Sequence, residues 1–195
     1  SALLPASPPP MSRTLVIHAH PSPRQSVVVR ALRQTLEAAP QTTVRSLYNL
    51  YPDFDIDVTA EQAALAQAEL VVWLAPVHWY SVPALLKHWF DQVLTHGWAY
   101  GAGGNALHGK AAWWVASVGG SLTDYTAAGA HERPFAEFVA PIEQTARFCG
   151  MRWLPPHIHY GERRLTNVDT QAQGTSLADQ LTAHQAALIS PAYNP

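Results

Sequence analysis

The chain has 195 residues, 48% of them hydrophobic and 13% charged. That composition fits one globular domain and excludes disorder, coiled coil and collagen. Twelve Lys and Arg against fourteen Asp and Glu leave a net charge of −2 without a basic run, which argues against nucleic acid as the partner. The single cysteine, Cys149, rules out an internal disulfide framework and a Cys-rich metal centre, and is compatible with a reducing cytosol.

Residues 1–10, SALLPASPPP, lack the basic start and apolar core of a signal peptide and are expected to be a disordered extension or a tag remnant. The domain is expected over 11–188 and a tail over 189–195. Residues 13–20, RTLVIHAH, predict a first strand, and 26–38 a helix stopped by Pro40. Residues 42–51 predict a second strand, followed by a helix that Thr59 would cap. The apolar run 69–76, ELVVWLAP, suits a parallel strand covered on both faces. A helix over 83–94 follows, with Pro83 in its first turn, then an apolar strand over 110–118. Residues 134–150 predict a helix bent at Pro141 and ended by Gly150, 151–160 a proline-broken edge strand, and 176–188 a last helix.

Five strands alternating with five helices argue for a three-layer α/β fold with a parallel sheet of order 2-1-3-4-5. In that order strands 1, 3 and 4 are neighbours, so the loops at their carboxyl ends converge on one crevice. Those are also the unusual loops. HAHPSPRQS (18–26) runs into a helix start, where free N–H groups and the helix dipole favour a phosphate. APVHWYSVP (75–83) carries Trp79 and Tyr80, a candidate wall for a flat ring. SVGGSLTDYTAAGAHERP (117–134) opens on Gly119-Gly120, which permit close approach of a ligand. Tyr125 and His131, six residues apart in that loop, are donors suited to a substrate oxygen that develops negative charge. GAGGNA (101–106) follows a helix, not a strand, so it is not read as a dinucleotide fingerprint; Trp98 and Tyr100 beside it suggest an aromatic lid or an intersubunit element. The paired histidines 18/20 and 157/159 lack a third convergent ligand, so no metal site is assigned.

At these loops the sequence resembles the flavodoxin-like NAD(P)H:quinone oxidoreductases, and within them the ancillary subunits of glutathione-regulated potassium efflux systems. The stretches that carry the resemblance are HAHPSPRQS, SLYNLYPDFDIDVTAEQ, LVVWLAPVHWYSVPALLKHWFDQVLTHGWAYG, NALHGK and CGMRWLPP, spanning about residues 13–156. It implies FMN, with FAD as the alternative, and NAD(P)H as co-substrate. His20, Ser26, Val27, Val28 and Val29 would then hold the flavin phosphate. Val77, His78, Trp79 and Tyr80 would line one side of the ring, and Ser117, Val118, Gly119 and Gly120 the other. Tyr125 and His131 would be the catalytic pair over the ring, with Trp98 and Tyr100 toward substrate. Members often carry Asn where this chain has Val29 and a third Gly where it has Val118. The resemblance implies hydride transfer from NAD(P)H through flavin to a quinone, a homodimer and a cytoplasmic location. The alternative it carries is a regulatory subunit on a potassium efflux antiporter, at the inner face of the membrane.

Overall fold

The computed structural model describes residues 13–22, 24, 26–161 and 167–189. Expectations for 1–10 and 190–195 lie outside them. The elements run β1 (Thr14–His18), α1 (Val27–Glu37), β2 (Thr42–Ser46), α2 (Leu47–Leu50), α3 (Val58–Gln67), β3 (Leu70–Pro76), α4 (Ala84–Val93), β4 (Ala111–Ser117), a 3-10 turn (Leu122–Asp124), α5 (Ala136–Phe148), β5 (Arg152–Trp153), β6 (His157–His159) and α6 (Asn167–Ile189). All strands are parallel, and the sheet order is β2-β1-β3-β4-β5 as expected, with β6 also on β4.

Alternation along the central strands sorts the core into two layers. Ile17, Trp73, Ala116 and their neighbours pack against α3, α4 and α5. Val16, Val72, Trp113 and Val115 pack against α1 and α6. Trp73, Trp89, Trp113 and Trp114 are fully buried, so four of the seven tryptophans belong to the core.

Four expectations need correction. The second strand stops at Ser46 because β1, its only neighbour among the described residues, ends where His18 pairs with Ser46. The chain then closes a helical turn through the Tyr51 N–H to Leu47 O bond at 2.8 Å. The N-cap of α3 is Asp57, not Thr59: Asp57 is extended, and its Oδ1 accepts the Ala60 N–H at 2.9 Å. The fifth strand is two short pieces, since Pro155-Pro156 between them offers no N–H to the ladder. The last helix begins at Asn167, nine residues before the apolar pattern does. Gly174 lets it lie close to α1, since a Cβ there would meet Thr35 Oγ1 at 3.1 Å. Helix α5 runs unbroken through Pro141.

Glu61 is fully buried and fully bonded. Its Oε1 accepts from Arg45 Nε at 2.7 Å and Tyr51 Oη at 2.7 Å, and its Oε2 from Trp89 Nε1 at 2.9 Å. Burial, then the bond to Glu61, pushes the Tyr51 phenol above its ordinary range. One carboxylate thus joins β2, the turn after α2, α3 and α4. Glu61→Ala strands a half-buried guanidinium and two buried donors. We expect a loss of about 3–5 kcal/mol, read as a shift of the urea midpoint at unchanged slope.

His18 is buried, with Nδ1 2.9 Å from Ser46 Oγ. Burial, then the charges of Arg33 and His20, lower it to about 4 from an ordinary 6.5. The unfolded chain therefore takes up this proton first. Stability from neutral His18 is complete above about pH 6.5 and is lost as pH falls toward 4, by on the order of 3 kcal/mol. His18→Asn should flatten that part of the stability profile in urea titrations between these two pH values.

Candidate functional site at the strand ends

The neighbouring strands β1, β3 and β4 carry their loops to one edge of the sheet. The Val77 N–H donates to Ser117 O at 2.8 Å, continuing the β3–β4 ladder one step past the strands. Two contacts tie the loops together, and a third lies within the last of them. The rings of His20 and His78 stand edge-on at 6.5 Å. Tyr80 Oη lies 3.2 Å from His131 Nδ1. The rings of Tyr125 and His131 stack at 4.1 Å.

In the first loop, Ser26 caps α1, and its Oγ accepts the Val29 N–H at 3.1 Å. Val28 and Val29 point into the core while Val27 is exposed. The valines therefore present only backbone outward, and among the described residues the Val27 and Val28 N–H groups have no protein acceptor. His20 Nδ1 accepts the Ser22 N–H at 2.9 Å, which leaves Nε2 as the protonated nitrogen of the neutral ring.

The second loop is a two-residue hairpin. His78 and Ser81 exchange both backbone bonds at 3.0 Å, so Trp79 and Tyr80 are its central pair. Both have positive φ, +47° and +64°. Such a turn favours Asn-Gly, and each bulky residue there costs about 1 kcal/mol or more. Trp79 is 92% exposed, so no burial offsets its strain. Tyr80 stacks on Phe138 at 4.9 Å. Among the described residues, neither Trp79 nor Tyr80 donates its N–H to a protein acceptor.

The third loop leaves β4 through Ser117 and Val118, both buried; the Val118 N–H donates to His159 O at 2.8 Å. The exposed turn is Gly119-Gly120, whose N–H groups have no protein acceptor among the described residues. A Cβ on Gly120 would stand 3.2 Å from both His131 Nε2 and Tyr125 Cε2. Asp124, which the sequence reading did not single out, orders the loop. Its Oδ2 accepts the Ser121 N–H at 2.7 Å and Ser121 Oγ at 2.8 Å, and its carbonyl accepts the His131 N–H at 2.9 Å. Burial, then Tyr80, raises the Tyr125 phenol, so it stays protonated as a donor.

Trp98 and Tyr100 pack against the core, and Tyr100 shares a groove with Ser81 and Val82 at the end of the second loop. Tyr100 faces Phe148 at 5.4 Å and lines a groove of about 380 Å³ with Phe90, Leu94, Ile142 and Phe148, between α4 and α5. Another cavity, of about 450 Å³ among Arg13, Gln41 and Gln67, opens at the amino ends of the strands, away from every loop described above. Among the described residues, no three His, Cys, Asp or Glu side chains gather to hold a metal.

Residues 12–184 match the flavodoxin-like fold family. The chain belongs to that family. It is 46% identical over 171 residues to the glutathione-regulated potassium-efflux system ancillary protein KefF of Salmonella typhi, covering 88% of this chain and 96% of that protein. Among solved structures it is similar to general stress protein 14 of Treponema denticola in complex with FMN, at 36% identity and TM-score 0.80, covering 90% and 99% of the two chains. An NADPH-quinone reductase from P. pentosaceus matches at 29% identity and TM-score 0.79, covering 87% and 98%. A chain described as a thermophilic tryptophan halogenase from Streptomycin violaceusniger matches at 39% identity and TM-score 0.82, covering 85% and 96%. These relatives agree in fold and differ in described activity.

The strained hairpin gives a direct test. Trp79→Asn keeps the turn and removes the bulky left-handed residue. We expect about 1 kcal/mol of added stability, a rise of roughly 2–4 °C in Tm by calorimetry. An unchanged or lower Tm would show that the indole is held by the fold itself.

Proposed function

We propose that this chain is a flavin-dependent NAD(P)H:quinone oxidoreductase that binds FMN. The observation that carries the reading is the stacked Tyr125–His131 pair, bonded to Tyr80, beside the Gly119-Gly120 turn. The FMN-bound and quinone-reductase relatives support it.

The residues fit the group. The free N–H groups at the start of α1, with His20 and Ser26, suit the flavin phosphate. The free N–H groups of Trp79, Tyr80, Gly119 and Gly120 suit the polar edge of the ring, with the backbone of Val77, His78, Ser117 and Val118 setting their positions. When bound, the flavin supplies hydride acceptance from NAD(P)H and two-electron delivery to a quinone. The chain's own work is orientation and proton handling. The Tyr125 phenol makes no hydrogen bond among the described residues, so it is available to a quinone oxygen. His131 is held by Tyr80 at Nδ1 and turns Nε2 toward Gly120, a second donor position for the same oxygen.

We assign the groove of Tyr100 and Phe148 to contact with a second copy, since the Phe148 ring is 65% exposed beside it. Sedimentation tests that assignment. We place the protein in the cytoplasm; no helix among the described residues is long and apolar enough to cross a membrane. The second reading, an ancillary subunit on a potassium efflux antiporter, is favoured by the identity to KefF over 96% of that protein. Co-purification with the cognate transporter and a potassium flux assay test it.

The first measurement is the absorbance spectrum, with the released cofactor identified by mass. A protein that is colourless and takes up neither FMN nor FAD overturns the redox reading. Tyr125→Phe and His131→Ala should each lower quinone turnover about 10–100-fold with the flavin still bound. Unchanged turnover in both would remove the assigned pair.

A further inference from the structure

A cavity of about 270 Å³ lies against α1, lined by His18, Arg24, Arg30, Arg33 and Asn49. His18 ends β1, Arg24 stands in the first loop, Arg30 and Arg33 share one face of α1 at i,i+3, and Asn49 lies on α2. None of these residues belongs to the set assigned above to flavin or quinone.

Three guanidinium groups facing one space repel each other. Elsewhere Arg45, Lys87, Arg133 and Arg147 each have a carboxylate partner at 2.6–2.7 Å, and Lys110 is held by the carbonyls of Ala66 and Ala68. Among the described residues, Arg24, Arg30 and Arg33 have none. The chain carries a net charge of −2, so nothing in its overall balance calls for such a cluster. The buried neutral His18 adds a polar wall without adding charge. A guanidinium is a planar fork that bonds phosphate oxygens in pairs, and three of them match the oxygens of a phosphate dianion. The volume falls below the roughly 300–1,000 Å³ of sites that take a whole drug-sized ligand, so this one suits a single charged group.

We propose that this cavity binds a phosphate group distinct from the one held at the start of α1. Its carrier is the 2′-phosphate of NADPH, the second phosphate of FAD, or free phosphate. That the group is a second one rests on the flavin reading; that the cavity binds phosphate does not.

The test uses the flavin-loaded protein and the double variant Arg30→Gln, Arg33→Gln. Inorganic phosphate and pyrophosphate are titrated at constant ionic strength against chloride, following Tm and the His18 ring proton by NMR. We expect phosphate to raise Tm and shift His18 in the parent chain, and to do neither in the variant. Without phosphate, the variant should be as stable as the parent or more so, because repulsion is relieved. Three results would overturn the proposal: no response in the parent chain, a response kept in the variant, or a variant destabilised without phosphate, which would give the arginines a structural role. The source is then read from kinetics and flavin titration. A KM for NADPH raised about tenfold with that for NADH unchanged assigns the 2′-phosphate. Weakened FAD binding with FMN unchanged assigns the diphosphate. Neither change, with phosphate binding lost, assigns free phosphate. A protein that takes up no flavin defeats the redox reading and leaves the phosphate titration readable.

Discussion

The two central strands are covered on both faces, and that constraint arranges everything else. A polar side chain in the middle of β3 or β4 would be stranded between two apolar layers, at a cost of several kcal/mol without a partner. Both strands therefore hold apolar side chains until they end, at Pro76 and Ser117. Chemistry is displaced to the first residues past each end. Because β1, β3 and β4 are neighbours, those displaced residues meet, and His20, Tyr80 and His131 come from three separate stretches of chain.

The Glu61 carboxylate makes the helical layer follow the sheet. It is a carboxylate carried into the interior on that side with its partners in place, and each partner comes from a different element. A buried ion pair adds little net stability against an apolar substitute, but it accepts only one arrangement of its donors. Here that arrangement sets α4, and through α4 the hairpin of Trp79 and Tyr80 that precedes it. The strain in the hairpin is tolerable because both of its ends are fixed, by the ladder to Ser117 and by the start of α4.

Much of this was legible in the sequence. The apolar runs named the central strands, their alternation with helices named the sheet order, and the loops stood out by Trp79 and Tyr80 as a wall for a flat ring and by Tyr125 and His131 as donors. Several of the missed features depend on partners distant in the chain. Glu61 lies in the first turn of α3, where an acid is ordinary, and nothing local reveals that Arg45, Tyr51 and Trp89 surround it. The end of β2 depends on where β1 stops. The early start of α6 depends on Gly174 meeting α1, while its own polar residues carry no apolar period. Asp124 is the exception: its bond to Ser121 is local and closes a capping box on the 3-10 turn, while its carbonyl holds His131.

The distribution of indoles has an optical consequence. Of the seven tryptophans, four are sealed in the core and Trp79 alone stands almost wholly in solvent, at the mouth of the crevice. The buried four emit at short wavelength and are shielded from aqueous quenchers, while Trp79 emits to the red and is quenched on contact. The chain therefore carries its own fluorophore at the candidate site. Any molecule that lands on the hairpin, coloured or not, announces itself through the red edge of the protein's intrinsic emission.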